Sequence, residues 1–235
     1  MLGRKIRCTS HPFNNTRIKL LETQVEKDLG ILICNDLKWD QQIAKATRLA
    51  QFALSQIKNT FVCHEPEIIR PFYLALVRPH LEYAVSAWNP HLVQDCNKLE
   101  KIQRQATKLC PKLRKRPYED RLKHFRITTL KTRRERCDLI QFYKIVHGLE
   151  EVKWVKEIKC LDTSDTNRPN LRRHRNHYYR ESKTCMVREK FFINRVVPLW
   201  NDLPVGVKDA DRLNAFKAGI DRLSRFSVNG CQGSN

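Results

Sequence analysis

Chemistry in this 235-residue chain would have to come from carboxylates, histidines or thiols set at short spacing. Four acidic pairs stand close in sequence: Glu119 with Asp120, Glu150 with Glu151, Asp162 with Asp165, and Asp209 with Asp211. Nucleotidyl transfer by two divalent ions, held roughly 4 Å apart, needs carboxylates that converge on both. Each of these pairs falls instead beside a predicted helix end or in a polar stretch, where a carboxylate caps a helix or is simply hydrated. His174 and His177 in "RRHRNHYY" have H-x-x-H spacing but lack the glutamate of a zinc-protease helix, so they read as exposed residues of a basic loop. The nine cysteines lie fourteen or more residues apart, which leaves no C-x-x-C zinc spacing. Cys34, Cys110, Cys137 and Cys185 lie in or near apolar runs and read as reduced, buried thiols. There is no G-x-S-x-G and no glycine-rich phosphate loop. The residues supply no catalytic set, no metal site and no cofactor site.

Charge is the stronger signal. The chain carries a formal +20 and a pI near 9.8, which favours nucleic acid or an anionic surface as partner. The charge is uneven. Residues 98–136 hold fifteen Lys or Arg against four Asp or Glu, and residues 168–190 hold eight against two. The rest of the chain is nearly neutral. No run of 18 apolar residues occurs, so no transmembrane helix is expected. The start, "MLGRKIRCTSHPF", lacks the apolar stretch of a signal peptide, and an intracellular, nuclear or cytoplasmic, non-secreted protein is expected.

Seven glycines in the whole chain argue against a turn-dense β fold. "IKLLE" (Ile18–Glu22) and "LGILI" (Leu29–Ile33), joined by the polar "TQVEKD", read as a β-hairpin. At Asp40, a good N-cap, the period changes to helical: Ile43, Ala46, Ala50, Ala53, Leu54, Ile57 and Phe61 share one face. A second helix from Glu65–Pro66 carries Ile68, Ile69, Phe72, Tyr73, Leu76 and Val77, with Pro71 and Pro79 set to kink or break it. It runs into "RPHLEYAVSAWNP" (Arg78–Pro90), whose Tyr83 and Trp88 read as core aromatics. Asp95 is placed to cap a helix with Leu99, Ile102, Ala106 and Leu109 inward, ended by Pro111. A short helix follows Pro117, and another runs from a Thr cap at 128 or 129 to Gly148. Two further helices lie in "VREKFFINRVVPLWNDLP" and "DADRLNAFKAGIDRLSRF".

The binding candidates follow from these elements. Lys98, Lys101, Arg104 and Lys108 repeat at intervals of three and four, so they share one flank of a helix. Lys112, Arg114, Lys115 and Arg116 carry that row into the next loop. Arg133, Arg134 and Arg136 open the following helix, where positive charge opposes the helix dipole and would be relieved by a bound polyanion. Arg172, Arg173, Arg175 and Arg180 flank Tyr178 and Tyr179, cations for phosphate beside rings for stacking.

"LALVRPHLEYAVSAWNP", "LEKIQRQATKLC", "LRKRPYEDRLKHFRITTLKTRRERCDLIQFYKIVHGLEEV" and "FFINRVVPLWNDLP…LNAFKAGIDRL" together resemble the C-terminal part of reverse transcriptases of non-LTR retrotransposons, the jockey and CR1 types of LINE element. The resemblance extends from about Leu20 to about Phe226. It implies that "KDLGILICNDLKWDQQI" (Lys27–Ile43) is the junction of polymerase palm and thumb, and that the helices after it are the thumb and a post-polymerase region. The family's Y-x-D-D carboxylates are missing; "YEDR" (Tyr118–Arg121) puts Arg121 at the second aspartate and reads as a helix start. Met1 then reads as an internal start in a truncated element copy, lacking fingers, palm and endonuclease, and no polymerase activity is expected of the chain alone.

The expected fold is mainly α: a helical, thumb-like bundle with a small N-terminal β-hairpin and an irregular basic loop before C-terminal helices. The expected divisions are a palm-end hairpin remnant (1–39), thumb-like helices (40–150), the basic loop (151–186), C-terminal helices (187–226) and a frayed tail (227–235). The implied partners are RNA or RNA–DNA duplex, bound without regard to sequence, and the palm and fingers of the parent polymerase. A domesticated protein-interaction module and an inert remnant are the competing expectations.

Overall fold

The computed structural model describes residues 23–153, 158, 160, 177–180 and 188–227, and the backbone alone of 12–13, 16–17 and 186–187. The protein is mainly α with a small β-hairpin near its N-terminus. Two minimal strands, β1 (Pro12–Phe13) and β2 (Thr16–Arg17), pair antiparallel and precede the hairpin proper, β3 (Val25–Asp28) with β4 (Ile31–Cys34). The hairpin departs from the sequence expectation: "VEKD", read there as connector, is its first strand, and Ile18–Glu22 lies outside the described residues. The reason is the turn. Leu29 and Gly30 both have positive φ (43° and 84°), the two-residue turn whose twist matches a hairpin, and Gly30 supplies the conformation at little steric cost. That turn sets Val25 opposite Cys34 and Asp28 opposite Ile31.

Helix α1 (Asp40–Thr60) buries Ile43, Ala46, Ala50, Leu54 and Ile57 of the expected stripe, while Ala53 and Phe61 are half-buried at its edge. Its cap is Trp39, not Asp40; Asp40 lies in the first turn, where its charge still complements the helix dipole. Next come α2 (Pro66–Phe72), a π turn (Tyr73–Val77), α3 (Arg78–Glu82) and α4 (Val85–Trp88). The prolines explain the breaks. Pro66 occupies the first turn of α2, while Pro79 has no N–H to donate and its ring would crowd the carbonyl four residues back. The backbone widens there instead, with Arg78 N–H reaching Tyr73 O. Leu76, expected inside, faces solvent.

Helix α5 (Val93–Thr107) starts two residues before the expected Asp95 cap, and Asp95 is buried in its first turn. A 3₁₀ turn (Pro111–Leu113) leads to α6 (Tyr118–Phe125) and α7 (Leu130–Val146). Thr129 caps α7, its hydroxyl accepting from Thr132 N–H at 3.1 Å, and Gly148 at φ +66° follows the helix end, both as expected. The C-terminal part holds α8 (Met186–Glu189), α9 (Phe192–Asn201), α10 (Val205–Lys208) and α11 (Leu213–Arg222).

Two cores result. One runs from Ile31 to Leu130 around Trp88, and the other joins Leu139, Phe142 and Tyr143 to Val196, Trp200, Phe216 and Ile220. Helix α7 contributes to both, Leu130 to the first and Leu139, Phe142 and Tyr143 to the second. Trp88 is fully buried as expected and donates its Nε1–H to Tyr83 O at 2.8 Å. Tyr83 is not a core residue. It is 56% exposed, and its hydroxyl donates to Leu29 O at 2.9 Å, tethering the hairpin turn to the end of α3. Cys34 and Cys110 are buried free thiols and Cys137 is partly buried; Cys185 lies outside the described residues.

Candidate nucleic-acid interface

Helix α5 positions the predicted row. Leu99, Ile102 and Ala106 anchor one face in the first core, which leaves Lys98, Lys101, Arg104 and Lys108 on the exposed flank. Below them a polar network locks α5 to α6 and α7. Tyr73 Oη donates to Gln103 Oε1 at 2.7 Å, and Gln103 Nε2 donates to Tyr118 Oη at 2.9 Å and to Thr128 O at 3.0 Å. The Glu100 carboxylate accepts from Tyr118 Oη and from Leu130 N–H, the latter at 3.0 Å. Burial pushes the Glu100 carboxyl above the usual carboxylate range, while the Tyr118 bond and the positive field of Arg134 pull it back. Arg121 extends into the end of α5, its Nη1 donating to Arg104 O at 2.9 Å and Thr107 Oγ1 at 3.0 Å. This rigid base holds the row.

The row is not uniform. Lys98 pairs with Asp95 at 2.8 Å, and Lys112 with Glu65 at 2.8 Å. The Arg104 guanidinium lies 4.5 Å over the Tyr118 ring. Lys101, Lys108, Arg114, Lys115 and Arg116 are exposed. Lys123, Arg126 and Lys131, absent from the sequence-based set, are exposed nearby. Nothing in their spacing marks them: Lys123 lies on α6, Arg126 just after it and Lys131 at the start of α7. Among the described residues, none of these eight cations, nor Arg104, has a carboxylate partner.

The start of α7 is a correction. Arg134 is buried at 3% exposure. Arg133 forms a two-pronged pair with Glu82 on α3, Nε to Oε1 and Nη2 to Oε2 both at 2.9 Å, which holds its guanidinium above its ordinary pKa. Arg136 pairs with Asp221 on α11 at 2.6 and 2.8 Å. The charge expected to call for a polyanion at this helix start is answered by carboxylates of the fold itself. Each partner is distant in sequence, so no local signal announces it.

The second basic block is altered as well. Arg172, Arg173 and Arg175 lie outside the described residues. Tyr178 turns inward: its ring meets Phe142 edge-on at 5.2 Å, and its backbone exchanges bonds with the Asn201 side chain at 3.1 and 2.9 Å. Tyr179 faces solvent, since adjacent residues of an extended chain point opposite ways. Arg180 pairs with Glu189 at 3.1 Å. One exposed ring therefore stands where two were expected.

Of the four acidic pairs, Asp162 and Asp165 lie outside the described residues. Glu119 and Asp120 lie in the first turn of α6, and Glu150 accepts from Lys144 at 2.7 Å, which lowers its pKa. Among the described residues, no three His, Cys, Asp or Glu side chains gather as a metal cage requires. No helix among them is long and apolar enough to cross a membrane. Comparison with protein-family models, with curated proteins and with solved structures finds no match to this chain.

Proposed function

We propose that this chain is the thumb and post-polymerase part of a non-LTR retrotransposon reverse transcriptase, and that it grips the sugar–phosphate backbone of RNA or an RNA–DNA duplex without reading bases. Two supports carry this reading. The first is the motif resemblance described above. The second, which carries most weight, is the exposed band of Lys101, Arg104, Lys108, Arg114, Lys115 and Arg116, none of which has a carboxylate partner among the described residues, while Lys98 and Lys112 beside them are paired. A band of flexible side chains on a rigid helix suits a regular line of phosphates: each neutralised phosphate releases counterions, and none requires a particular base.

The test is the salt dependence of binding to a short RNA–DNA hybrid, followed by fluorescence anisotropy. Replacing Lys112, Arg114, Lys115 and Arg116 together by Gln is expected to flatten the plot of log affinity against log salt by about 0.9 for each phosphate that the variant no longer neutralises. An unchanged slope would reduce the band to a solvated surface.

A further inference from the structure

A cleft of about 440 Å³ opens between the second half of α1 and the end of α5. Lys58 comes to it from α1, His64 from the following loop, Gln105 and Lys108 from the end of α5, and Arg114 from just after the 3₁₀ turn. Among the described residues, no Asp or Glu lines it. Among the described residues, Lys58, Lys108 and Arg114 have no carboxylate partner, and Glu65, next to His64 in sequence, is already taken by Lys112 at 2.8 Å. Three like charges drawn from three segments around one cavity repel one another, and an anion between them adds an attractive term with each that offsets this repulsion. His64 is held at the rim, its Nε2 lying 3.2 Å from Lys58 O. Gln105 Oε1 is buried without a hydrogen-bond partner, so turning the carboxamide to aim Nε2 at an anion breaks no bond.

We infer that this cleft seats one phosphodiester of a nucleic-acid backbone, held by Lys58, Lys108 and Arg114 over the Gln105 amide. The inference rests on the nucleic-acid reading above and adds α1 to that surface. A polynucleotide is the fitting source because Lys108 and Arg114 also belong to the exposed band, so a strand following the band crosses the mouth of the cleft. Nothing in the spacing of Lys58 tied it to the band, since it lies fifty residues from Lys108.

The experiment uses the full chain, the RNA–DNA hybrid and sodium orthophosphate as probes. Lys58→Gln is expected to lower the salt slope of hybrid binding by about 0.9, and Lys58→Arg to retain it. Orthophosphate, added at constant ionic strength to ¹⁵N-labelled protein, is expected to shift the amide signals of residues 55–58 and 105–109 saturably in the parent chain and not in Lys58→Gln. Far-ultraviolet circular dichroism checks that each variant is folded. Hybrid binding with the full slope in Lys58→Gln, and no saturable phosphate shift, overturns the cleft while sparing the broader reading. Saturable phosphate shifts without hybrid binding overturn the polynucleotide assignment and the broader reading together.

Discussion

Arg195 and Asp138 meet in a two-pronged ion pair at the joint between the two cores, Nε to Oδ2 at 2.8 Å and Nη2 to Oδ1 at 3.0 Å. Asp138 is 1% exposed on α7, and it also accepts from Asn89 Nδ2 at 3.0 Å. Arg195 on α9 donates further to the backbone carbonyl of Ser86 in α4. One guanidinium thus joins α9 of the second core to α4 of the first, through the helix they share.

Removing either partner strands the other charge in the interior, a loss of about 3–5 kcal/mol for buried pairs. Arg195→Leu is expected to lower the urea midpoint and to separate the unfolding of the two cores. Trp88 and Trp200 report on them individually when the other tryptophans are replaced by Phe. Coincident transitions from both probes in Arg195→Leu would show that the pair does not couple the cores.

Glu100 predicts a pH effect of definite sign. Its carboxyl is raised above the ordinary value of 4.5, chiefly by burial, so the folded state holds the proton more tightly than the unfolded chain does. Its contribution is therefore fully present below the unfolded value and is lost as pH rises through the higher folded one. The stability of the parent chain relative to Glu100→Gln should improve as pH falls from neutral towards 4.5. A difference that stays flat across that range, measured by urea unfolding, refutes the assignment.

Trp88 and Tyr83 should separate. Trp88→Ala empties a fully buried site and is expected to cost about 3–5 kcal/mol. Tyr83→Phe removes a single exposed bond to Leu29 O and should cost under about 1 kcal/mol. Gly30→Ala tests the same turn: its Cβ would meet the Tyr83 ring at an ordinary 3.5 Å, so the φ of +84° alone sets the penalty, about 1–2 kcal/mol. Equal losses for Trp88→Ala and Tyr83→Phe would contradict the burial difference.

Arg133 tests where the interface ends. Arg133→Gln breaks the pair with Glu82 and is expected to destabilise by about 1.5–3 kcal/mol while leaving the salt slope of hybrid binding unchanged. Lys101→Gln and Lys115→Gln should do the reverse. A slope change in Arg133→Gln at unaltered stability would return α7 to the binding surface.

What sequence determined here is what short-range physics controls. The span of α7 is legible from a Thr cap and a stopping glycine because capping bonds reach three residues. The exposed flank of α5 is legible because helical spacing places Leu99 and Ile102 opposite Lys98 and Lys101. Mainly helical architecture follows from the same periodicity and from the scarcity of glycine. The hairpin lies a few residues from where the sequence pattern puts it, since alternation alone cannot say which two residues turn when Leu29 accepts a positive φ beside Gly30.

Tertiary structure decided the rest. Arg133, Arg134 and Arg136 resemble Lys98 and Lys101 in sequence, yet Glu82 and Asp221 neutralise two of them and the interior takes the third. Tyr178 and Tyr179 are equal in sequence until the second core claims one. Lys58 joins the basic surface only when α1 packs against α5. A charge is a local property, but whether it meets a carboxylate, the core or water depends on elements as far as 90 residues away, and only packing brings those together.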